Sequence, residues 1–236
     1  LMNQMTKSDL IGLTDVAAKI PQFMTKMPHL ITGLKQAYLR TPNTPAGLGL
    51  AFEKAVHRNP HGCALMFEDQ QYSYLQLNAW ANQIAHYYLS IGARKGDVIA
   101  VMLENRPELI ASVIGLAKIG VTVALVNTAQ VAKVLAHSIN LVKPIAVIVG
   151  EECRQAVADI RQELELAENR LYWFADQNTR TDAGTAPEGF QNLAQCIASF
   201  PSFNPATTQS VQGKDGLFYI YTSGTTGLPK AVIFTN

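Results

Sequence analysis

Short apolar runs alternate with longer amphipathic stretches along most of this chain. The short runs are rich in Val and Ile, which is typical of buried parallel strands, and the longer stretches repeat apolar residues at helical spacing. The predicted strands are Val98–Leu103, Val121–Val126, Ile145–Val149, Leu171–Phe174, Gly216–Thr222 and Ala231–Thr235, and the predicted helices are Leu75–Ile91, Pro107–Ile119, Gln130–Val142, Glu151–Ala167 and Asn192–Ser199. A hairpin is predicted from Ala64–Phe67 and Tyr72–Tyr74. This order predicts an α/β fold with a mostly parallel sheet and flanking helices.

One apolar stretch, Leu109–Val126, is long enough to test as a membrane span. Lys118 lies inside it and Gly120 interrupts it, and the residues after the glycine are β-branched. A buried helix followed by a central strand therefore explains the same residues and is the favoured interpretation.

Residues 1–40 differ in character from the rest, with five basic residues against two acidic ones. Apolar residues recur there at helical spacing before and after Pro21, which predicts two short amphipathic helices with basic polar faces. Such helices could lie on an anionic membrane surface, or they could pack on the protein itself or on a partner. Residues 41–49 are predicted to be a linker, and residues 50–236 the body of the fold.

Composition narrows the function classes. With 48% hydrophobic and 16% charged residues, the chain can bury a sizeable core. The formal net charge of +1 makes nucleic acid an improbable partner. Three widely spaced cysteines indicate reduced thiols in a cytoplasmic protein, and the histidines form no metal-binding pattern. The N-terminus lacks the features of a secretory signal.

Candidate chemistry is concentrated in the segment Tyr221–Lys230, which reads YTSGTTGLPK. Its two glycines allow backbone N–H groups to approach a ligand closely. Its four hydroxyls, on Thr222, Ser223, Thr225 and Thr226, can donate to anionic oxygens or help to hold a metal ion. Pro229 stiffens the exit and Lys230 supplies a positive charge. The combination predicts a polyphosphate-binding loop.

This loop differs from a Walker A motif, because Pro229 stands where that motif has its second glycine. It is also predicted to join two strands, whereas a Walker A loop joins a strand to a helix. A mobile surface hairpin without a ligand is the alternative, and the specific order of residues disfavours it.

The segment YTSGTTGLPKA resembles the phosphate-binding signature of the adenylate-forming enzymes, which include acyl-CoA synthetases. The strings ENRPE, GLAKIGV and ALVNT resemble the fatty acid transport protein branch, that is, long- and very-long-chain acyl-CoA synthetases. The resemblance covers about residues 50–236 and implies the first part of a large N-terminal adenylation domain. Asn236 directly follows a strand and Leu1 precedes the first Met, so we expect the chain to be a piece of a longer polypeptide.

The resemblance implies that a fatty acid, ATP and coenzyme A react in two steps through an acyl-adenylate, with Mg²⁺ bound to the ATP. It assigns nucleotide binding to a stretch around the loop, with catalytic roles for Thr226 and Lys230 and a Mg²⁺ contact for Thr225 or Thr226. Lys230 would either touch the pyrophosphate end of ATP or act in loop closure. The implied nucleotide-binding residues are Tyr219, Ile220, Tyr221, Thr222, Ser223, Gly224, Thr225, Thr226, Gly227, Leu228, Pro229 and Lys230.

The family's adenine-binding segment, hinge and adenylation lysine would follow residue 236, so we expect these 236 residues alone to lack ligase activity. Three hypotheses for the function of the whole protein stay open: a fatty acid–CoA ligase, an adenylating enzyme with another acyl acceptor, and a membrane-associated uptake protein that only binds nucleotide. We further expect a cytoplasmic location, peripheral contact with the inner face of the membrane through residues 1–40, and a homodimer.

A few residues outside the loop carry weaker expectations. Arg106 follows a strand end, where ligands often bind, but pairing with Glu104 or Glu108 is favoured. His137, Trp80 and Trp173 are predicted to be core residues.

Overall fold

A computed structural model describes residues 19–21, 24–28, 31, 33, 41–175, 185–222 and 228–236. The chain divides into two compact units, 1–41 and 42–236. In the first unit, residues 19–21, 24–28, 31 and 33 are helical. The large apolar side chains of Ile20, Met24 and Ile31 are exposed there. The rest of the two helices predicted in this unit lies outside the described residues.

The second unit alternates strands and helices as the hydrophobic pattern predicts. Its helices are α1 (Leu48–Arg58), α2 (Tyr74–Ser90), α3 (Pro107–Lys118), α4 (Ala132–Leu141), α5 (Arg154–Asp159) and α6 (Leu193–Ile197). Its strands are β1 (Cys63–Phe67), β2 (Gln70–Ser73), β3 (Val98–Met102), β4 (Thr122–Leu125), β5 (Ala146–Gly150), β6 (Leu171–Phe174), β7 (Gln191–Asn192), β8 (Gly216–Thr222) and β9 (Lys230–Thr235). Short 3₁₀ turns lie at Glu151–Cys153, Arg161–Glu163 and Ala206–Ser210.

Seven of these strands form one sheet in the order β7-β6-β5-β3-β4-β8-β9, and β1 and β2 form a separate antiparallel hairpin. Every neighbouring pair in the seven-stranded sheet is parallel except β8 and β9. The chain runs from β3 to β4 on one side and then crosses to β5 on the other. The predicted α/β class and mostly parallel sheet are therefore confirmed.

Helices cover both faces of the sheet, because alternate residues of each strand point to opposite sides. The face that carries Ile99 and Val101 packs against α2 and α3. The face that carries Ala100 and Met102 packs against α4 and α5. Strands buried on both faces read as continuous apolar runs, which explains why the sequence shows no polar alternation in β3–β5.

Local signals account for the best-defined helix. The Ser73 hydroxyl accepts from the Gln76 N–H at 3.2 Å, and the Gln76 side chain accepts from the Ser73 N–H at 2.9 Å, which forms a capping box at the start of α2. Gly115 of α3 faces α2 so closely that an added Cβ would lie 2.5 Å from the Ala81 carbonyl oxygen. The absence of a side chain at Gly115 permits the two helices to pack.

The stretch Leu109–Val126 is a buried helix and a strand, as the favoured interpretation predicted, because α3 and β4 occupy it. Across the residues that the structure describes, we find no helix both long and apolar enough to cross a membrane.

Two predicted boundaries were wrong. The helix predicted over Glu151–Ala167 is instead a 3₁₀ turn, the short helix α5 and a second 3₁₀ turn. The stretch predicted as a linker, 41–49, mostly belongs to the second unit: Ala46 is buried and donates its N–H to Val211, and α1 begins at Leu48. The Pro and Gly residues of this stretch indicated a linker. The sequence could not show the hydrogen bond between Ala46 and Val211, because the two residues are far apart along the chain.

A buried charged network joins α1, α2 and α3. Lys118 is fully buried, and its Nζ donates to the side-chain oxygens of Asn78 at 2.6 Å, Asn82 at 2.7 Å and Asn204 at 3.0 Å. The Glu53 carboxylate lies 3.1 Å from the same nitrogen. An ammonium has three N–H groups, and the three amide oxygens use all of them, so Glu53 contributes as a counter-charge.

Candidate functional site

The carboxyl ends of β3, β4, β5 and β8 meet at one edge of the sheet, because these strands are parallel. Polar residues follow directly: Glu104 shortly after β3, Asn127 shortly after β4, Glu151 after β5, and Thr222 at the end of β8. Ligands of open α/β sheets bind outside this edge. The loop singled out in the sequence therefore starts where the fold predicts a binding site.

The loop joins the antiparallel strands β8 and β9, as predicted, and the two strands hold its base. Thr222 and Lys230 are directly opposite partners in the register of this pair. Directly opposite residues on an antiparallel pair point to the same face, so the side chains of Thr222 and Lys230 start from adjacent positions on one face. Lys230 is exposed and available to an anionic ligand.

The predicted nucleotide-binding stretch Tyr219–Lys230 is described in two parts, Tyr219–Thr222 and Leu228–Lys230. The residues between them, 223–227, lie outside the described residues. They include Thr225 and Thr226, to which the sequence assigns the Mg²⁺ contact and, for Thr226, a catalytic role; those assignments stay predictions.

The side chains of Tyr219–Thr222 alternate between the two faces of β8. Tyr219 and Tyr221 pack against the core cluster that includes α4, whereas Ile220 is on the opposite face with Thr222. Burial, and secondarily Tyr219, raises the pKa of Tyr221 well above its usual range. Both tyrosines therefore pack toward α4, although Tyr221 also lines the crevice described below, and Ile220 and Thr222 are on the opposite face of β8. Lys230 is exposed and also lines the groove around His137.

Both ends of the loop contact α4. The Tyr221 hydroxyl donates to the Ser138 carbonyl at 2.7 Å, and His137 Nε2 lies 3.2 Å from the Pro229 carbonyl oxygen. The prediction that His137 is a core histidine was wrong, because its side chain is only half-buried and meets the loop exit. The apolar neighbours of His137 in the sequence gave no sign of this contact, which spans 92 positions along the chain.

A crevice of about 660 Å³ opens beside Ile220 at the carboxyl ends of β3, β4 and β8. Its walls combine aliphatic side chains with a polar rim at the strand ends. The lining residues are Val101, Leu103, Glu104, Asn105, Leu109, Leu125, Val126, Asn127, Thr128, Ile220 and Tyr221. The arrangement can hold an apolar group while its polar end faces the loop.

Arg106 organises the strand end next to this crevice. Its guanidinium donates to the Phe174 carbonyl at 3.1 Å and lies 3.5 Å from Glu108 and 3.6 Å from Glu152. The predicted pairing with Glu108 is confirmed, whereas Glu104 accepts nothing from Arg106 in the described contacts and instead donates its backbone N–H to Glu152 at 2.7 Å. Glu152 follows another strand, so only the fold could identify it as a partner.

The two tryptophans lie largely inside the protein, as predicted. Trp173 is 4% exposed and donates its indole N–H to Glu151 at 2.6 Å, and Trp80 packs edge-on against Phe174. Both residues therefore support the strand ends around Arg106.

The edge offers oxygen donors of the kind that Mg²⁺ prefers, namely hydroxyls and carboxylates. Within the described ranges, no group of three or more His, Cys, Asp or Glu residues is arranged to hold a metal ion. A hydroxyl such as that of Thr222 fits a magnesium ion that arrives bound to phosphate groups, since such ions need few protein ligands.

Comparison with known proteins adds the following. A family model described as "AMP-binding enzyme" matches residues 52–236. The chain is 33% identical over 226 residues to the medium/long-chain-fatty-acid–CoA ligase FadD6 of Mycobacterium tuberculosis, covering 96% of this chain and 35% of that protein. It is 35% identical over 184 residues to long-chain fatty acid transport protein 1 of Rattus norvegicus, covering 77% of this chain and 28% of that protein.

Solved structures show the same fold. The anthranilate–CoA ligase AuaEII, in complex with anthranoyl-AMP, superposes with a TM-score of 0.72 at 21% identity over 83% of this chain and 35% of that one. The inhibitor-bound N-terminal domain of FACL13 from Mycobacterium tuberculosis superposes with a TM-score of 0.64 at 26% identity over 80% of this chain and 44% of that one. The chain spans about a third of the length of the curated relatives that it matches.

Proposed function

This chain belongs to the AMP-binding enzyme family, and from that membership we propose that the full-length protein is a long- or very-long-chain fatty acid–CoA ligase. The observation that carries the proposal is the placement of Thr222 opposite Lys230 at the base of the loop. This pair stands at the carboxyl edge of a parallel sheet, beside a crevice with aliphatic walls. Phosphate groups and an acyl group can therefore be held next to each other.

The proposed reaction has two steps. An oxygen of the fatty acid carboxylate attacks the α-phosphorus of Mg-ATP, and the bond from that phosphorus to the bridging oxygen breaks, which releases pyrophosphate and leaves an acyl-adenylate. The thiolate sulfur of coenzyme A then attacks the acyl carbon, and AMP leaves with the bonding electrons of the carbon–oxygen bond. Adenylation gives the carboxylate a good leaving group.

Phosphoryl transfer depends mainly on positioning and on neutralising charge. In the proposed site, four hydroxyls donate to the β- and γ-phosphate oxygens, namely those of Thr222, Ser223, Thr225 and Thr226. Lys230 compensates the charge that develops on the departing pyrophosphate. The crevice beside Ile220 receives the part of the fatty acid nearest its carboxylate, because its aliphatic walls end at a polar rim.

The first test is an assay of the full-length protein with Mg-ATP, coenzyme A and oleate, followed by mass spectrometry. We expect oleoyl-CoA and AMP to appear together, and only when all three substrates are present. The segment 1–236 alone is the matched control, and we expect it to form no acyl-CoA.

Other results of that assay would separate the alternatives. AMP and pyrophosphate without a thioester would support adenylation with a different acyl acceptor. Absence of AMP with every carboxylic acid tried would contradict the ligase proposal and favour an uptake protein that only binds nucleotide. Acyl-CoA formation by residues 1–236 alone would contradict the expectation that this segment lacks ligase activity by itself.

We also propose that the first unit contacts an anionic membrane surface from the cytoplasmic side. Ile20, Met24 and Ile31 are exposed apolar residues in helical backbone, and Lys19 and Lys26 lie among them. Apolar residues beside basic ones are typical of helices that lie at the membrane interface.

Vesicle sedimentation of the full-length protein tests this contact. We expect stronger binding to vesicles that contain phosphatidylserine than to pure phosphatidylcholine. The double variant Ile20→Glu/Met24→Glu should bind the anionic vesicles about tenfold more weakly, since two apolar side chains no longer enter the interface. Met66→Glu is the control, because Met66 is also an exposed apolar residue but lies in the second unit. Equal binding by wild type and double variant would contradict the proposal.

A further inference from the structure

Both ends of the loop are attached to one turn of α4. On the entry side, the Tyr221 hydroxyl reaches the Ser138 carbonyl at 2.7 Å. On the exit side, His137 Nε2 is 3.2 Å from the Pro229 carbonyl oxygen. His137 and Ser138 are consecutive residues, so a single point on the helix holds both ends.

The chemistry of these groups sets the direction of each hydrogen bond. A carbonyl oxygen can only accept, so His137 carries a proton on Nε2 and donates it to Pro229. The Ser138 carbonyl belongs to the last four residues of α4, whose carbonyls lack an intrahelical partner. Tyr221 supplies that missing donor, and because burial raises its pKa, its hydroxyl stays protonated.

The surroundings of His137 are basic and apolar. The groove around it is lined by His137, Leu141, Val142, Lys143, Tyr219, Leu228, Pro229, Lys230 and Ala231, and none of these carries a negative charge. The groove adjoins the carboxyl end of α4, where the helix dipole favours positive groups. The contact between His137 and Pro229 therefore has no nearby carboxylate that would compete for the imidazole N–H within the groove lining.

We propose that His137 is a positioning residue for the phosphate groups of ATP, which acts by holding Pro229 and hence the exit of the loop. With Tyr221 holding the entry, the spacing of the two ends is set before the nucleotide binds. Ends that are held in this way lose less conformational entropy when the nucleotide binds, so affinity for ATP rises. This inference rests on the proposed role of the loop in phosphate binding.

The test compares four proteins at full length: wild type, His137→Leu, His137→Gln and His86→Leu. His86 is the matched control because it is also half-buried and its Nε2 also contacts a carbonyl, that of Phe203 at 3.0 Å, away from the loop. Calorimetry gives the Kd for Mg-ATP, steady-state AMP formation gives kcat and KM, and thermal unfolding gives the Tm.

We expect His137→Leu to raise both the Kd and the KM for ATP about fivefold while kcat changes less than about twofold, as the loss of one net hydrogen bond predicts. His137→Gln should restore most of the affinity, because its amide N–H can donate to the same carbonyl. His86→Leu should leave the Kd for ATP unchanged. Unchanged ATP affinity in His137→Leu, or equal loss in His86→Leu, would overturn the inference.

The binding measurement keeps this inference separate from the proposed function. A wild type that binds Mg-ATP but forms no AMP would contradict the ligase proposal, and the effect of His137→Leu on the Kd would still decide the role of His137. A wild type that does not bind Mg-ATP would overturn both.

Discussion

Replacing Lys230 with alanine is expected to lower kcat/KM for ATP of the full-length protein about 100-fold, the scale seen when one preorganised charge-stabilising donor is removed. Lys230 is exposed at the base of the loop, directly across β8 and β9 from Thr222. Its ammonium group can therefore meet the charge that develops on the departing pyrophosphate. The effect should fall mainly on the adenylation step, which ATP–pyrophosphate exchange measures directly.

Two further variants sharpen this test. Lys230→Arg keeps the positive charge and should recover part of the lost rate, although a planar guanidinium does not reproduce a compact ammonium. Lys133→Ala removes another exposed lysine, on α4, and should leave exchange unchanged. A Lys230→Ala protein that exchanges at the wild-type rate would contradict the assigned role. Lost exchange with intact lipid uptake would favour the uptake-protein alternative.

Replacing Lys118 with methionine is expected to lower the free energy of unfolding by about 3–5 kcal/mol, because one partner of a buried charged network is removed. The change removes the charge that faces the Glu53 carboxylate and leaves the side-chain oxygens of Asn78 and Asn82 without their Lys118 donor. The Asn204 oxygen loses one donor but still accepts from the side-chain amides of Asn78 and Asn82. Urea unfolding of wild type and variant, with the midpoint and slope compared, measures the loss.

Controls separate the buried charge from simple loss of a lysine. Lys95 pairs with Asp215 at 3.0 Å but is 41% exposed, so Lys95→Met should cost no more than about 1 kcal/mol. Adding Glu53→Gln to Lys118→Met removes the isolated carboxylate, so the double variant should lose less stability than the two single variants combined. Strictly additive losses would argue against a coupled network.

The pH dependence of stability provides a second measurement on the same network. Burial lowers the pKa of Lys118, and Glu53 opposes that shift only in part. Between the lowered folded pKa and the usual lysine value, the unfolded state binds more protons than the folded state, so Lys118 makes the protein more stable as pH rises. The stability difference between wild type and Lys118→Met should therefore widen as pH rises through that window, and a difference independent of pH would contradict the lowered pKa.

The local pattern predicted most of the elements. Apolar runs located β3–β6, and helical spacing located α2, α3 and α4, because these signals depend on neighbours a few positions away. The helix predicted after β5 was wrong, because signals from near neighbours cannot show where tertiary structure interrupts a helix. The stretch 151–167 has helical composition, but the chain bends there to reach β6 and only α5 stays regular.

The candidate site was only partly predictable. Thr222, Pro229 and Lys230 were identified from the loop itself, since glycines, hydroxyls and a lysine in that order indicate phosphate binding. The packing of Tyr219 and Tyr221 could not be predicted in the same way, because the face of β8 that a side chain occupies depends on the elements that pack against the strand. Tyr221 packs on the α4 side and also lines the crevice, whereas Ile220 lines the crevice from the opposite face of β8.

By itself, therefore, the sequence determined the α/β class and the family, and it predicted the phosphate-binding segment. Only the tertiary structure decided that His137 holds the loop exit, that Glu152 pairs with Arg106, and that Lys118 is the centre of a buried network. In each case the partners are far apart in the chain and meet because parallel strands end at one edge or helices cross one another. Local periodicity carries no information about such pairs, whereas burial makes them energetically important.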